Sequence, residues 1–343
     1  MEKLMKACAA VAPGKLQLVE VPVPEPDDYE VLVKNEGCVF CNTTDRLITD
    51  HLFATPAYPT LLGHEDFGKV VKVGKKVTKY KLGDRVICAS ATKGFNGTYH
   101  STWGGFAEYG IAGDWQAWCD DGGKTEGADA YRRRYRHNHI LPGDLSVEQA
   151  ALAFSLAETA SALHQVGDLT GKTVVVIGTG FVGYSFVYFA KRAGAKQVIC
   201  LGRRQQRLEV AQKLGADRCF IDTREAADYI LANGGADVIL EASGNYKATE
   251  GGFPYLKENG IFAIYAMPSQ PYVFDLRNGP VNFRVMRIDP VVTESLEDVC
   301  NALREGFPVD VFLTHQWEMN QVVEAFAQVR SGEVIKGLVR FGE

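Results

Sequence analysis

No stretch of the sequence reaches the roughly 18 consecutive apolar residues that a membrane-spanning helix needs, so no span is expected. The opening run MEKLMKACAAVAPGK lacks the long apolar core of an export signal and reads as the start of a strand. Positive charge is not in excess: 37 Lys and Arg stand against 42 Asp and Glu, a net charge of -5. With no long basic tract, neither nucleic acid nor an anionic membrane surface is an expected partner. The one basic cluster, YRRRYRHNH at residues 131 to 139, reads as a solvated loop. Cysteine is sparse, eight in 343 residues, too few for a disulfide scaffold. Cys8, Cys88, Cys200, Cys219 and Cys300 sit in apolar surroundings, where cysteine behaves as a small hydrophobe. Internal repeats and low-complexity segments are absent. The expectation is a cytoplasmic globular protein of about two domains at roughly 150 residues each.

The residues that are present change character along the chain. The first 110 are β-rich: EVLVKNEGCVF, KVVKVG and DRVICAS are strand-like runs bounded by turn residues. The proline-rich VPVPEPDDYE reads as an extended edge or loop. Residues 113 to 140 are polar, aromatic and without period, which predicts a lid, an oligomer contact or a surface excursion. From about residue 145 helices alternate with buried strands. SVEQAALAFSLAETASALHQV is a helix with Ser146 as its N-cap. KTVVVIGTGFVGYSFVYFAKRAGAKQVICLG follows as strand, turn, helix, strand, and ADVILEASG and GIFAIYAM are further strands. That alternation predicts an α/β fold with a doubly wound parallel sheet.

Within it, VVVIGTGFVG places Gly178, Gly180 and Gly183 between an apolar strand and a helix. In that context the glycines fit a dinucleotide pyrophosphate: one for the tight turn, one for close approach, one for helix packing. The backbone around Phe181 and Val182 then opens the helix, whose free N–H groups and positive dipole favour phosphate. The next strand, QVICLG, ends at Gly202 and is followed by Arg203 and Arg204, with Arg207 further on. The acid that would hold an NAD ribose is missing. Two arginines suit a 2′-phosphate, which favours NADP, with NAD as the alternative.

The stretch GCVFCNTTD, residues 37 to 45, carries two cysteines three apart. A redox pair is disfavoured because no thioredoxin-like context surrounds it. Downstream lie LLGHEDFGKVVKVG, KLGDRVICAS and GGFAEYG. In this order, ahead of the glycine turn, these pieces resemble the zinc-containing medium-chain dehydrogenase/reductase superfamily, which includes alcohol, sorbitol and threonine dehydrogenases. The resemblance covers essentially the whole chain. It implies a GroES-like β-rich catalytic domain over 1–150 and 290–343, and a Rossmann dinucleotide-binding domain over 151–289.

The resemblance also implies one catalytic zinc, with Cys41 and His64 as ligands and Cys38 as a bystander. For the third ligand the family uses an acid or thiol at the start of the crossing helix. Glu158 is the only such residue there, although its register departs from common members. Glu65 is the other choice, as ligand or as a catalytic group beside the metal. CNTTD departs from the family's Cys-x-Ser/Thr-Asp by one residue, so Thr43 or Thr44 takes the proton-relay hydroxyl and Asp45 orients His64. His51 stands later than the relay pattern requires. The four closely spaced cysteines of a structural zinc are missing after GDRV, where Cys88 stands alone, so no structural zinc is expected. Lys336 occupies the place of a basic residue on the cofactor pyrophosphate. The implied reaction interconverts a secondary alcohol, polyol-like or sugar-like, with its ketone by hydride transfer. Trp103, Trp115, Trp118 and Tyr131 are candidates to stack on such a substrate. A homodimer or homotetramer is usual in the family. The competing readings are a zinc-free enone or quinone reductase of the same superfamily and a non-catalytic dinucleotide-binding protein.

Overall fold

The computed structural model describes the chain apart from residues 1–2, 51–56, 92, 94–96, 102, 124–134, 222–223, 269 and 343. His51, Tyr131 and the arginines at the centre of the basic cluster lie outside the described residues. The rest forms two compact units, Met1–Ser155 with Cys300–Glu343, and Leu156–Val299. No helix among the described residues is long and apolar enough to cross a membrane.

The first unit is built on two sheets. A four-stranded sheet runs in the order Lys15–Pro22, Leu4–Ala12, Thr60–Leu61, His100–Ser101. A seven-stranded sheet runs Leu313–Glu318, Lys336–Arg340, Glu30–Val39, Glu65–Val73, Arg85–Ile87, His139–Leu141, with Tyr109–Gly113 also paired to Glu30–Val39. Register places the site. Strand Glu30–Val39 pairs Val39 with Glu65 on one side and with Leu338 on the other. Three segments far apart in sequence, ending in Cys41, beginning after His64 and beginning at Lys336, are therefore neighbours. The sheet closes over an aromatic core in which Phe40 meets Phe106 at 4.7 Å and Phe326 at 4.8 Å between ring centroids. Gly63, ahead of His64, has φ +90°, and a Cβ there would lie 2.5 Å from the Phe106 amide nitrogen. Only glycine satisfies both constraints.

Residues 113–140, expected to be irregular, contain a helix, Trp115–Asp120. It is nucleated by a polar contact that apolar periodicity does not report. Asp114 is wholly buried and caps the helix by accepting from Ala117 N–H, while Thr78 and Lys79 N–H donate to its other oxygen.

The second unit is a six-stranded, wholly parallel sheet in the order Arg218–Ile221, Gln197–Gly202, Thr173–Ile177, Ala236–Glu241, Leu256–Ile264, Arg284–Arg287. Its central strands read as unbroken apolar runs because both faces are covered. The helix Val147–Val166 begins with a reciprocal cap: Gln149 N–H donates to Ser146 Oγ at 3.1 Å, and Ser146 N–H to Gln149 Oε1 at 2.8 Å.

Candidate metal centre and dinucleotide turn

Cys41 lies just beyond strand Glu30–Val39, where the chain turns into the short helix Thr44–Thr49. Asp45 fixes that turn: Cys41 N–H donates to Asp45 Oδ2 at 2.9 Å, and Asp45 N–H to the Cys41 carbonyl at 3.2 Å. The extra residue in CNTTD is accommodated by the helix, which starts at Thr44 and leaves Thr43 exposed at its N-cap. Thr44 is half-buried.

Cys41, His64 and Glu65 present one ligand atom each, all within 4.8 Å of one another. His64 Nε2 faces Glu65 Oε1 at 3.8 Å, and its Nδ1 faces Asp45 Oδ1 at 3.7 Å. Both separations exceed a hydrogen bond. His64 Nδ1 and Asp45 Oδ1 are thus buried polar atoms without a hydrogen-bond partner. Burial opposes charge on the imidazole, but the Asp45 carboxylate and Cys41 thiol outweigh it and raise the His64 pKa well above its ordinary value. The centre favours a cation at this point.

Glu65 is buried, and its two oxygens have separate partners. Oε2 accepts from Ser155 Oγ and pairs with Lys336 Nζ at 2.5 Å, while Oε1 faces His64. Lys336 is itself 5% exposed, so the two charges compensate each other out of water. Expected toward a cofactor pyrophosphate, Lys336 has its ammonium on Glu65. Ser155 was not singled out in the sequence. The available signal is a hydroxyl in the apolar face of the crossing helix, where a buried polar group needs a partner.

Cys38 is fully buried with its thiol 3.6 Å from the Val39 carbonyl, and burial, followed by the nearby Asp66 charge, pushes its pKa up. It is an inert neighbour. Asp66, opposite Cys38 in the sheet, is pushed up to about 6 by burial despite a 3.0 Å hydrogen bond from Ser90. Cys88 is a free cysteine, and Cys41, His64 and Glu65 form the sole cluster of potential metal ligands among the described residues. Glu158 lies half-buried on the helix Val147–Val166, in the second unit.

The donor set suits zinc. A thiolate, an imidazole and a carboxylate are its usual ligands, and three protein ligands leave a fourth tetrahedral position open. In that set Nε2 would be the nitrogen offered to the metal, and Nδ1 lies on the Asp45 side of the ring, 3.7 Å from Oδ1.

In the second unit the glycine turn follows strand Thr173–Ile177. Gly178 has φ +122°, and a Cβ on Gly183 would stand 2.0 Å from the Gly178 carbonyl oxygen. Gly180 is the N-cap of helix Phe181–Arg192, so the N–H groups of Phe181, Val182 and Gly183 begin that helix. Strand Gln197–Gly202 ends beside the turn. Arg203 and Arg204 are exposed, and Arg207 donates to the Thr179 carbonyl at 3.2 Å. Burial and then the neighbouring Arg204 charge lower the Arg207 pKa.

Residues 27–119 match the family model of the alcohol dehydrogenase GroES-like domain, and residues 182–305 that of the zinc-binding dehydrogenase. An L-threonine 3-dehydrogenase of Symbiobacterium thermophilum is 30% identical over 301 residues, which cover 80% of this chain and 79% of the relative. A sorbitol dehydrogenase of Bombyx mori is 27% identical, covering 96% and 97%. The crystal structure of an alcohol dehydrogenase zinc-binding domain protein from Burkholderia ambifaria aligns over the whole of both chains with a TM-score of 0.84 at 22% identity. These matches and the two sites together establish that the chain belongs to the zinc-containing medium-chain dehydrogenase/reductase superfamily.

Proposed function

We propose that this chain, an alcohol and polyol oxidoreductase by family, interconverts a secondary alcohol and its ketone at a single catalytic zinc held by Cys41, His64 and Glu65. NADP is the proposed hydride carrier, with NAD as the alternative. The observation that carries the reading is the convergence of those three ligand atoms within 4.8 Å, with a second, anchored oxygen on Glu65. Zinc, when bound, supplies a Lewis acid that lowers the pKa of the alcohol. Glu65 Oε1 is free to face the ligand cluster because Oε2 is fixed by Lys336 and Ser155. Asp45 holds the backbone of Cys41 and orients the His64 ring. Thr43, exposed two residues after Cys41, is the hydroxyl that passes the substrate proton outward, with Thr44 as its neighbour in that role. The exposed Arg203 and Arg204 bind the 2′-phosphate of NADP, where charge-assisted contacts are strongest.

Zinc per chain, measured in wild type, Glu65→Ala and Glu158→Ala, tests the ligand set. About one zinc in wild type and loss in Glu65→Ala is the expected result. Loss in Glu158→Ala alone assigns the third ligand to the crossing helix. Wild type purified without zinc sinks the dehydrogenase reading and favours the zinc-free reductase.

The protein acts as a cytoplasmic homo-oligomer in this reading. The parallel sheet ends in the short edge strand Arg284–Arg287, and in the segment of chain before it Val273, Leu276 and Val281 are 70%, 67% and 72% exposed. An open edge strand and exposed apolar residues are suited to a second copy. Sedimentation of wild type and of Leu276→Glu checks this, and a monomeric wild type would refute it.

A further inference from the structure

Of the aromatic residues suited to stacking on a substrate, the structure separates Trp103 from the tryptophans of helix Trp115–Asp120. Trp115 and Trp118 pack on each other, with ring centroids 5.6 Å apart. Trp103 instead lies over the imidazole of His64, at 5.0 Å between centroids and a 41° tilt. The indole packs against the core cluster that includes Phe40 and Phe106, and the side chain is half-exposed. Among the described residues its Nε1–H has no hydrogen-bond partner. Trp103 therefore offers, beside a metal ligand, a fixed flat apolar face and an unused donor. Tryptophan is suited to this double task, being apolar over its body and polar at one edge.

We infer that Trp103 is a specificity-determining residue of the alcohol site, selecting substrates with a second hydroxyl next to the reacting carbinol. The inference rests on the dehydrogenase reading of the Cys41–His64–Glu65 centre. In this inference a substrate oxygen bound among those ligands would have its adjoining carbons beside the His64 ring, over which Trp103 lies at 5.0 Å. The carbon face of a polyol packs on the indole, and a neighbouring hydroxyl accepts from Nε1–H. A mono-alcohol of the same skeleton uses the face and leaves the donor to water. A donor placed for a substrate hydroxyl discriminates against the analogue that lacks it.

Butane-2,3-diol and butan-2-ol differ by that one hydroxyl and serve as probes. Zinc content, kcat and KM for both, and tryptophan fluorescence titrated with the diol on zinc-loaded enzyme are compared in wild type, Trp103→Phe and Trp103→Ala. Trp103→Phe keeps an aromatic face and removes the N–H. The expected result is full zinc, an about tenfold fall in the diol/mono-alcohol ratio of kcat/KM carried by KM, and loss of the diol-induced fluorescence change. Trp103→Ala weakens both substrates further. An unchanged ratio, or a fluorescence change that persists in Trp103→Phe, overturns the inference. Zinc lost from Trp103→Phe also overturns it, leaving the indole as a brace for His64. Wild type with full zinc that oxidises neither probe nor any other polyol overturns the underlying reading instead.

Discussion

The two units handle charge in opposite ways. The unit that holds the candidate metal centre buries Glu30, Asp45, Glu65, Asp66, Arg85, Asp114 and Lys336, whereas Glu241 is the one buried charged side chain described in the other. Glu241 has partners on both oxygens: Oε1 accepts from Ser243 and Gly244 N–H at the end of its strand, and Oε2 from the Tyr272 hydroxyl. The first unit carries its chemistry in side chains taken out of water, each needing a partner. The second carries it in backbone: a glycine turn, a helix N-terminus and an apolar parallel sheet that keeps both in place. A reactive centre that must polarise a bond needs low dielectric and fixed charges. A phosphate site can remain wet and still bind through N–H groups and arginines.

The contrast can be broken most severely at the metal. Cys41→Ser replaces a soft thiolate with a poor zinc ligand. Zinc is expected to fall well below one per chain and kcat/KM by about a thousandfold, read by elemental analysis and steady-state kinetics. The dinucleotide affinity, read by equilibrium titration, should hold, because the turn contributes no metal ligand.

The buried ion pair is next. Lys336→Met leaves the Glu65 carboxylate unpaired in a site where both side chains are nearly inaccessible. Removing one partner of such a pair costs about 3 kcal/mol, to be measured by urea unfolding of the zinc-free protein. A loss under 1 kcal/mol would show that Ser155 or water satisfies Glu65 alone.

Acid acts on a buried imidazole of the first unit. Burial, and then the Lys79 charge, lower the His139 pKa to about 4, with Nε2 unsatisfied. The folded state therefore keeps this imidazole neutral while the unfolded state takes up a proton near the ordinary value of about 6.5. Between those values the unfolded chain binds more protons, so stability is lost as pH falls from 6.5 toward 4. The loss reaches about 2 kcal/mol at pH 5. His139→Gln should flatten this limb in thermal unfolding scans, and an equally steep limb in the variant would assign acid sensitivity elsewhere.

The smallest effect is expected in the second unit. Arg203→Ala and Arg204→Ala should each lower kcat/KM with NADP by about tenfold and leave that with NAD unchanged or higher. Equal losses with both cofactors would mean that the arginines support the turn and do not read the 2′-phosphate.

The same contrast decides what could be read from the sequence. The glycine turn is contiguous: strand, Gly178, Gly180, Gly183 and helix lie within one short stretch, and each residue type has a local reason. Strands and helices of the parallel sheet are legible because their apolar runs and caps are local too. The metal centre is legible only where it is compact, at GHE and CNTTD. Its remaining members come from distant segments. Nothing local at Lys336 reports that its ammonium meets Glu65, since the register of three strands sets that contact. Ser155 escapes for the same reason. Helix Trp115–Asp120 escapes because a buried aspartate starts it, and composition suggests a loop there.

The pairing of strand Lys336–Arg340 with Glu30–Val39 also imposes an order on biosynthesis. At the ribosome's 5–20 residues per second, Lys336 is made some tens of seconds after Glu65. Until then the nascent chain holds its cysteine, histidine and glutamate on a sheet that lacks the strand beside Glu30–Val39 and the lysine paired with Glu65. On the proposed ligand set, metal capture would be a late event of synthesis, following the parallel unit, whose strands are all translated before residue 300. Ribosome-arrested chains with residue 299 clear of the exit tunnel but strand Lys336–Arg340 not yet released should protect the parallel unit from protease and retain no zinc, while chains extended past residue 340 and clear of the tunnel should retain it.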